Sequence, residues 1–171
     1  SFYGYYDYDS TNKVSLKTPV TSITNKITSS NIPNYFASYY IDGATVETDW
    51  EGGTFTAYYA DYVGNNVTIT NKLKNVIGDT FYGTDSSVAK AVSNTVSGTA
   101  EDMQIRLYYG TYKGSATSVV NNFNGGKLGF HELTSSKLNV DTRVSSYAMY
   151  NTAVSGGITN NLAGTNFSTY Y

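Results

Sequence analysis

The sequence predicts an all-β fold, and three observations support this. Apolar and polar residues alternate with a period of two through much of the chain, as they do in half-buried strands. Turn-forming segments rich in Gly and Asn separate these stretches. Residues favoured in strands are abundant, including 18 tyrosines among 171 residues. Many short strands joined by regular turns indicate an antiparallel β-sandwich of the jelly-roll type, or a barrel.

The clearest alternation lies in residues 44–51. One predicted face is apolar or small, and the other is mainly acidic. The two rows are Ala44, Val46, Thr48 and Trp50 against Thr45, Glu47, Asp49 and Glu51. This segment is predicted to be a strand with one face in the core and an acidic row in solvent.

A β-hairpin is predicted from two strand-like segments, 54–62 and 67–73, which flank a turn signal at 63–66. Residues 10–34 have the weakest pattern, and we assign them to an edge strand or an extended connector. No internal repeat with the period of a solenoid or propeller is recognised. Further strands are predicted at 103–109, 128–130, 138–144, 147–154 and 166–171.

One or two short helices are predicted where the period of two fails. Residues 86–97 place Val88, Ala91, Val92 and Val96 at helical spacing. Asp85 or Ser86 would cap the start, and Gly98 would end the helix. Residues 115–123 are a second candidate. Neither is long enough for a series of βαβ units, which argues against a doubly wound parallel sheet.

The length of the chain fits one domain covering residues 1–171. The aromatic, β-prone segment 1–13 is predicted to be a terminal strand that could exchange between copies. Charged residues make up 14% of the chain and the net charge is −2, without a basic run that would bind nucleic acid. No cysteine is available for disulfides or zinc. No apolar stretch approaches the roughly 20 residues of a membrane helix.

The tyrosines are the leading candidates for contact residues. Adjacent tyrosines in a strand point to opposite faces, so each pair is expected to place one ring inward and one outward. Exposed tyrosine rings favour contact with sugars, flat cofactors or other proteins. The alternative is that the rings only fill and pair the sheet. The aromatic candidates are Tyr3, Tyr5, Tyr6, Tyr8, Trp50, Tyr58, Tyr59, Tyr108, Tyr109, Tyr170 and Tyr171.

Few residues suggest chemistry. His131 is the only histidine. A single histidine in a predicted strand is most often an ordinary surface or boundary residue. The alternative function for His131 is that of an axial haem ligand. The row Glu47, Asp49 and Glu51 beside Trp50 contains the residue types of a glycosidase, but its spacing better fits a solvated face. Asp7–Thr11 resembles half of a calcium loop without the turn glycine or the closing glutamate. No catalytic residue or cofactor is therefore assigned.

The composition favours a location outside the cell or on its surface, because Ser, Thr, Asn and Tyr supply the polarity in place of charge. The sequons at Asn66 and Asn166 fit that location, although two are close to chance in so Asn- and Thr-rich a chain. The first functional hypothesis is a non-enzymatic, self-associating subunit of a filament, pilus-like fibre or matrix. The alternative is a binding module for carbohydrate or haem, with polysaccharide or other surface proteins as partners.

Overall fold

The computed structural model describes residues 2–6, 8–9, 14–15, 21–40, 43–63, 66–84, 88–110, 115–129 and 156–167. All regular secondary structure in these ranges is β, which confirms the predicted all-β class. The strands are β1 (Phe2–Tyr6), β2 (Tyr8–Asp9), β3 (Val14–Ser15), β4 (Ser22–Tyr40), β5 (Thr45–Val63), β6 (Val67–Lys74), β7 (Ile77–Tyr82), β8 (Val88–Gly98), β9 (Gln104–Tyr109), β10 (Ser115–Gly125), β11 (Lys127–Leu128), β12 (Ile158–Ala163) and β13 (Asn166–Phe167).

Eleven of the strands form one continuous sheet in which every pairing is parallel. The sheet winds into a β-solenoid of about four turns. The predicted antiparallel sandwich or barrel is therefore wrong. A period of two reports only that one face of a strand is buried, and it holds equally for a solenoid whose strands pair with the next turn.

Two faces make up each turn. The first face comprises residues 22–28 of β4, residues 45–51 of β5, and then β6, β8, β10 and β12. The second face comprises residues 31–40 of β4, residues 54–63 of β5, and then β7, β9, β11 and β13. Strand β1 adds to the second face by pairing with residues 35–39 of β4. The long strands β4 and β5 run through both faces, which makes the two faces one sheet.

The chain contains a repeat that the sequence analysis missed. Ser22 pairs with Thr45, Thr45 with Thr68 and Thr68 with Ala91, so equivalent positions recur at equal intervals through these turns. The next step along the chain, from β8 to β10, is longer, and the step from β10 to β12 is longer still. Few positions keep their residue identity from turn to turn, and the unequal steps conceal the period.

The predicted hairpin and both predicted helices are wrong. β6 runs parallel to β5 and pairs with its residues 45–51, which lie on the first face in the previous turn. The predicted hairpin required an antiparallel pairing with residues 54–62. Residues 88–98 and 115–125 form β8 and β10, which pair with each other along most of their length. Alternate residues of β8 face the core from Val92 to Val96, and Asn94 takes the inward position between these two valines. A polar residue at a core position made the pattern resemble a helix.

A left-handed residue lies at each of the six places where the chain passes from the first face to the second. The positions are Ser29 (φ 48°), Gly52 (φ 77°), Asn75 (φ 52°), Gly98 (φ 141°), Gly125 (φ 84°) and Gly164 (φ 69°). Gly and Asn adopt this conformation at the lowest cost, which explains most of the choices. At Gly53 a side chain is also excluded, because a Cβ there would lie 2.1 Å from the carbonyl oxygen of Ser30.

The core lies between the two faces and is rich in aromatic rings. Its largest fully buried side chains are Trp50, Tyr35, Tyr58, Tyr108, Phe55, Phe81, Phe123, Ile69, Leu73, Ile77 and Met103. The predicted inward row of residues 44–50 is confirmed, since Ala44, Val46, Thr48 and Trp50 are all buried. The strand predicted at 103–109 is confirmed as β9. The strands predicted at 138–144 and 147–154 lie outside the described residues.

Gly78 provides a sharp test of the packing between turns. A Cβ at this position would lie 2.0 Å from Cζ of Phe55, the residue that pairs with it in the previous turn. We expect Gly78→Ala to lower the free energy of unfolding by about 1–3 kcal/mol, because the Phe55 ring must move. Urea denaturation followed by circular dichroism measures the change. Gly157→Ala is the matched control, since a Cβ there meets no atom within 4 Å. Equal stability of the two variants would contradict the packing described.

Candidate functional site

A ladder of polar side chains runs along the inside of the first face. Its positions are Asn25, Thr48, Asn71, Asn94, Asn121 and Asn160, one in each successive strand. Asn71 Nδ2 donates to Asn94 Oδ1 (2.9 Å), and Asn94 Nδ2 donates to Asn121 Oδ1 (3.2 Å). Asn121 Nδ2 then donates to Asn160 Oδ1 (3.1 Å). At the other end, Asn25 Nδ2 approaches Thr48 Oγ1 at 3.5 Å. We refer to this row as the asparagine ladder.

The asparagine ladder also satisfies the backbone and two tyrosines. Asn71 Nδ2 donates to the carbonyl of Gly83 (3.1 Å), and Asn94 Nδ2 donates to that of Gly110 (2.9 Å). The Tyr58 hydroxyl donates to Asn71 Oδ1, and two turns later the Tyr108 hydroxyl donates to Asn121 Oδ1 (2.7 Å). Both protons of the Asn71 and Asn94 amides are therefore used, as burial of an amide requires.

The Tyr108 phenol is fully buried, and its ionisation is suppressed as a result. Burial raises the pKa of Tyr108 well above its usual value, and a hydrogen bond from the Asn94 side chain opposes that rise only in part. The neutral phenol is the form that donates to Asn121. Tyr108 is thus a structural donor in the core at neutral pH.

The raised pKa of Tyr108 predicts a loss of stability in alkali. The unfolded chain releases this proton near pH 10 while the folded chain retains it, so stability is unaffected below pH 10 and falls above it. For Tyr108→Phe we expect a shallower decline above pH 10, by as much as about 1.4 kcal/mol per pH unit. Urea titrations at several pH values between 8 and 11 measure both slopes. The same slope in both proteins would contradict the assignment.

Two aromatic rows follow the second face. In the inner row, Tyr35, Tyr58, Phe81 and Tyr108 stack with centroid distances of 4.8, 4.9 and 5.1 Å. In the outer row, Tyr59, Tyr82 and Tyr109 stack at 4.5 and 4.9 Å and are half-buried, with Phe36 tilted against Tyr59. The expected split of each tyrosine pair into one inward and one outward ring holds for residues 58–59 and 108–109.

The aromatic candidates take three kinds of position. Trp50, Tyr58 and Tyr108 face the core, and Trp50 Nε1 donates to the carbonyl of Gly52 (2.8 Å). Tyr59 and Tyr109 belong to the outer row. In the backbone register Tyr3, Tyr5 and Tyr6 pair with Phe36, Ser38 and Tyr39, and Tyr8 pairs with Ser15 between β2 and β3. His131, Tyr170 and Tyr171 lie outside the described residues.

The acidic row of β5 is paired across the turns. Glu47 Oε1 lies 3.0 Å from Lys72 Nζ, and Glu51 Oε1 lies 3.1 Å from Lys74 Nζ. Asp49 pairs in register with Lys26 on one side and Lys72 on the other. Exposed pairs of this kind contribute at most about 1 kcal/mol each. They favour the interpretation of this row as a solvated face over a pair of catalytic carboxylates.

A buried ion pair joins β7 to β9 in the following turn. The Arg106 guanidinium donates through Nε to Asp79 Oδ1, and Nη2 lies 3.2 Å from Oδ2. The Thr80 hydroxyl also donates to Asp79 Oδ2 (3.0 Å). The carboxylate therefore has hydrogen bonds on both oxygens, which a buried charge needs. The sequence analysis did not single out either residue, because only the fold makes 79 and 106 neighbours.

The last strand of the first face leaves two core-type side chains uncovered. Ile158 pairs with Val119 and Leu162 with Phe123, and the latter two are fully buried. Ile158 is 46% exposed and Leu162 is 56% exposed. They are the exposed large hydrophobic residues of the described ranges. We refer to β12 with these side chains as the C-terminal end rung.

Within the described ranges, no group of three or more His, Asp or Glu side chains is placed to hold a metal ion. Asp7, Ser10 and Thr11 of the predicted half calcium loop lie outside those ranges. Nor does the described part of the chain contain a helix long and apolar enough to cross a membrane. Comparison with protein-family models, curated proteins and solved structures finds no match.

The asparagine ladder predicts a large, specific effect of one substitution. Asn94→Ala removes the donor to the Gly110 carbonyl and the acceptor for Asn71, and leaves both groups buried. We expect a loss of at least about 2 kcal/mol in the free energy of unfolding. Asn124→Ala, in the exposed outer row of β10, is the control and should change stability by less than about 0.5 kcal/mol. Chemical denaturation of both variants checks the difference, and similar losses would argue against the ladder.

Proposed function

We propose that this chain is a non-enzymatic structural subunit that assembles with copies of itself outside the cell or on its surface. The observation that carries the proposal is the C-terminal end rung. Ile158 and Leu162 occupy positions that are core in the preceding turns, yet about half of each side chain is in solvent. Apolar residues aligned on an open strand edge are a surface that favours association.

The architecture supports the same proposal. Each turn of a solenoid contacts only its neighbours, so the stack can continue without a change in the structure of the turns already formed. The asparagine ladder repeats the same donor and acceptor in successive turns from Asn71 to Asn160, so a further asparagine strand could join it in the same way. A chain built in this way suits a stiff element of a fibre or matrix.

The surface composition agrees with a place outside the cell. The outer positions of the first face carry charged pairs in β5 and β6, and uncharged residues, mainly Ser, Thr and Asn, in residues 91–97 of β8 and in β10 and β12. One example is Asn122, whose amide donates to Thr95 Oγ1 (3.3 Å). Asn66 and Asn166, the asparagines of the two sequons, are exposed. These features support the extracellular part of the proposal.

The alternative function is a module that binds carbohydrate or haem through exposed aromatic rings, and fewer rings are exposed than the sequence predicted. Trp50, Tyr58 and Tyr108 face the core, which leaves the half-buried outer row of Tyr59, Tyr82 and Tyr109. Those rings stack on one another along the axis, so the row presents ring edges more than open faces. The end rung therefore provides the stronger argument, and assembly is preferred.

Assembly is tested by light scattering and negative-stain imaging of the purified chain over a wide concentration range. We expect oligomers or fibres that grow with concentration. A variant lacking residues 1–13, which removes β1 from the edge of β4, shows whether the terminal strand takes part. Oligomers that vanish on truncation assign the contact to that strand, and oligomers that persist assign it to other surfaces. A chain that stays monomeric throughout would rule out the proposal.

A further inference from the structure

The two ends of the solenoid carry the same short sequence pattern. The first strand of the first face reads Ile23-Thr24-Asn25-Lys26-Ile27, and the last reads Ile158-Thr159-Asn160-Asn161-Leu162. Apolar, polar, asparagine, polar and apolar residues thus follow in the same order at both ends. The matching residues of the two strands occupy equivalent positions in the solenoid, as the strand register shows.

The register connects the two patterns residue by residue. Ile23 pairs with Val46, Val46 with Ile69, and Ile69 with Val92. Val92 then pairs with Val119, and Val119 with Ile158. Among the described strands, Ile23 and Ile158 are therefore the first and last members of one ladder. A strand like 23–27 fits beside a strand like 158–162 in the register used inside the chain.

Both ends have incomplete burial at these apolar positions. Ile158 and Leu162 are about half exposed, while Ile23 and Ile27 are partly buried. Their equivalents in the next turn inward are all fully buried. Among the described strands, β5 alone pairs with residues 22–30 of β4, and β10 alone pairs with β12. β1 pairs further along β4, at residues 35–39.

We propose that a second copy of this chain stacks head to tail on the C-terminal end rung, with its residues 23–28 forming a parallel strand beside residues 158–163. This inference rests on the proposed function and specifies its contact. Ile158 would lie beside Ile23 of the second copy, and Leu162 beside its Ile27. Asn160 would lie beside Asn25 in the same register.

The outward side chains of the two strands are compatible in this register. Thr159, Asn161 and Ala163 would face Thr24, Lys26 and Thr28 of the second copy, so no like charges meet. The contact joins different surfaces of the two copies, and each addition leaves one free end of each kind. A contact of this type with little rotation builds an open filament and not a closed dimer.

The test uses engineered cysteines, because the chain contains none of its own. Thr24→Cys and Thr159→Cys place thiols on exposed outward positions of the two strands. In the proposed register their Cα atoms would be roughly 4.8 Å apart, within the range that a disulfide spans. Within one chain the two positions lie at opposite ends of the solenoid, so a disulfide between them reports a contact between copies.

We expect a mixture of the two single-cysteine chains to give a 1:1 covalent heterodimer on mild oxidation, and the double-cysteine chain to give a series of covalent multimers. The matched control pairs Thr24→Cys with Thr70→Cys, an outward position of the same row in the middle of the stack, and should not cross-link. Peptide mapping of the product identifies the linked residues.

Blocking variants give an independent measurement. Leu162→Lys should abolish oligomers on light scattering, because it places an amine at the junction, whereas Thr159→Lys on the outward face should retain them. Since Leu162 is mostly exposed, this change leaves the fold intact, which circular dichroism verifies. If the Thr159→Cys chain forms disulfides only with other Thr159→Cys chains, the head-to-tail contact is wrong, whereas the proposed assembly function still stands. A wild-type chain that never associates would overturn both.

Discussion

The in-register stacking of parallel strands is the constraint on which the rest of this structure depends. Each residue lies directly above its equivalent in the previous turn, so similar side chains form rows along the axis. A row of buried asparagines is tolerated only because each amide reaches the next one. A row of aromatic rings is tolerated because the strand spacing brings them close to stacking distance.

The same constraint explains the irregular positions. The Phe55 ring needs the space that Gly78 leaves open in the following turn. Asp79 and Arg106 can be buried only because the register sets one opposite the other. The left-handed corner recurs in every turn, because a corner that moved by one residue would turn each inward side chain outward.

Stacking also explains why function is proposed at the ends of the chain. An interior turn satisfies its strand edges and its apolar rows through the turns on either side. Among the described strands β12 pairs only with β10, and Ile158 and Leu162 are about half exposed although the equivalent side chains from β5 to β10 are buried. The acidic row of β5, by contrast, lies in the interior of the stack, where Glu47 and Glu51 form ion pairs with Lys72 and Lys74 of the next turn.

By itself the sequence determined the β class, the burial of alternate residues in 44–50 and the inward and outward split of the tyrosine pairs 58–59 and 108–109. These are local properties, since a strand reports its own buried face. The partner of each strand was decided only by the tertiary structure. A strand that pairs in parallel with the neighbouring turn shows the same alternation of buried and exposed residues as a strand in a hairpin. An asparagine at a buried position breaks the alternation of apolar residues, so that the remaining apolar residues of β8 resemble a helical pattern. The asparagine ladder, the Asp79–Arg106 pair and the exposed end rung all depend on that pairing, because stacking the turns is what brings their residues together.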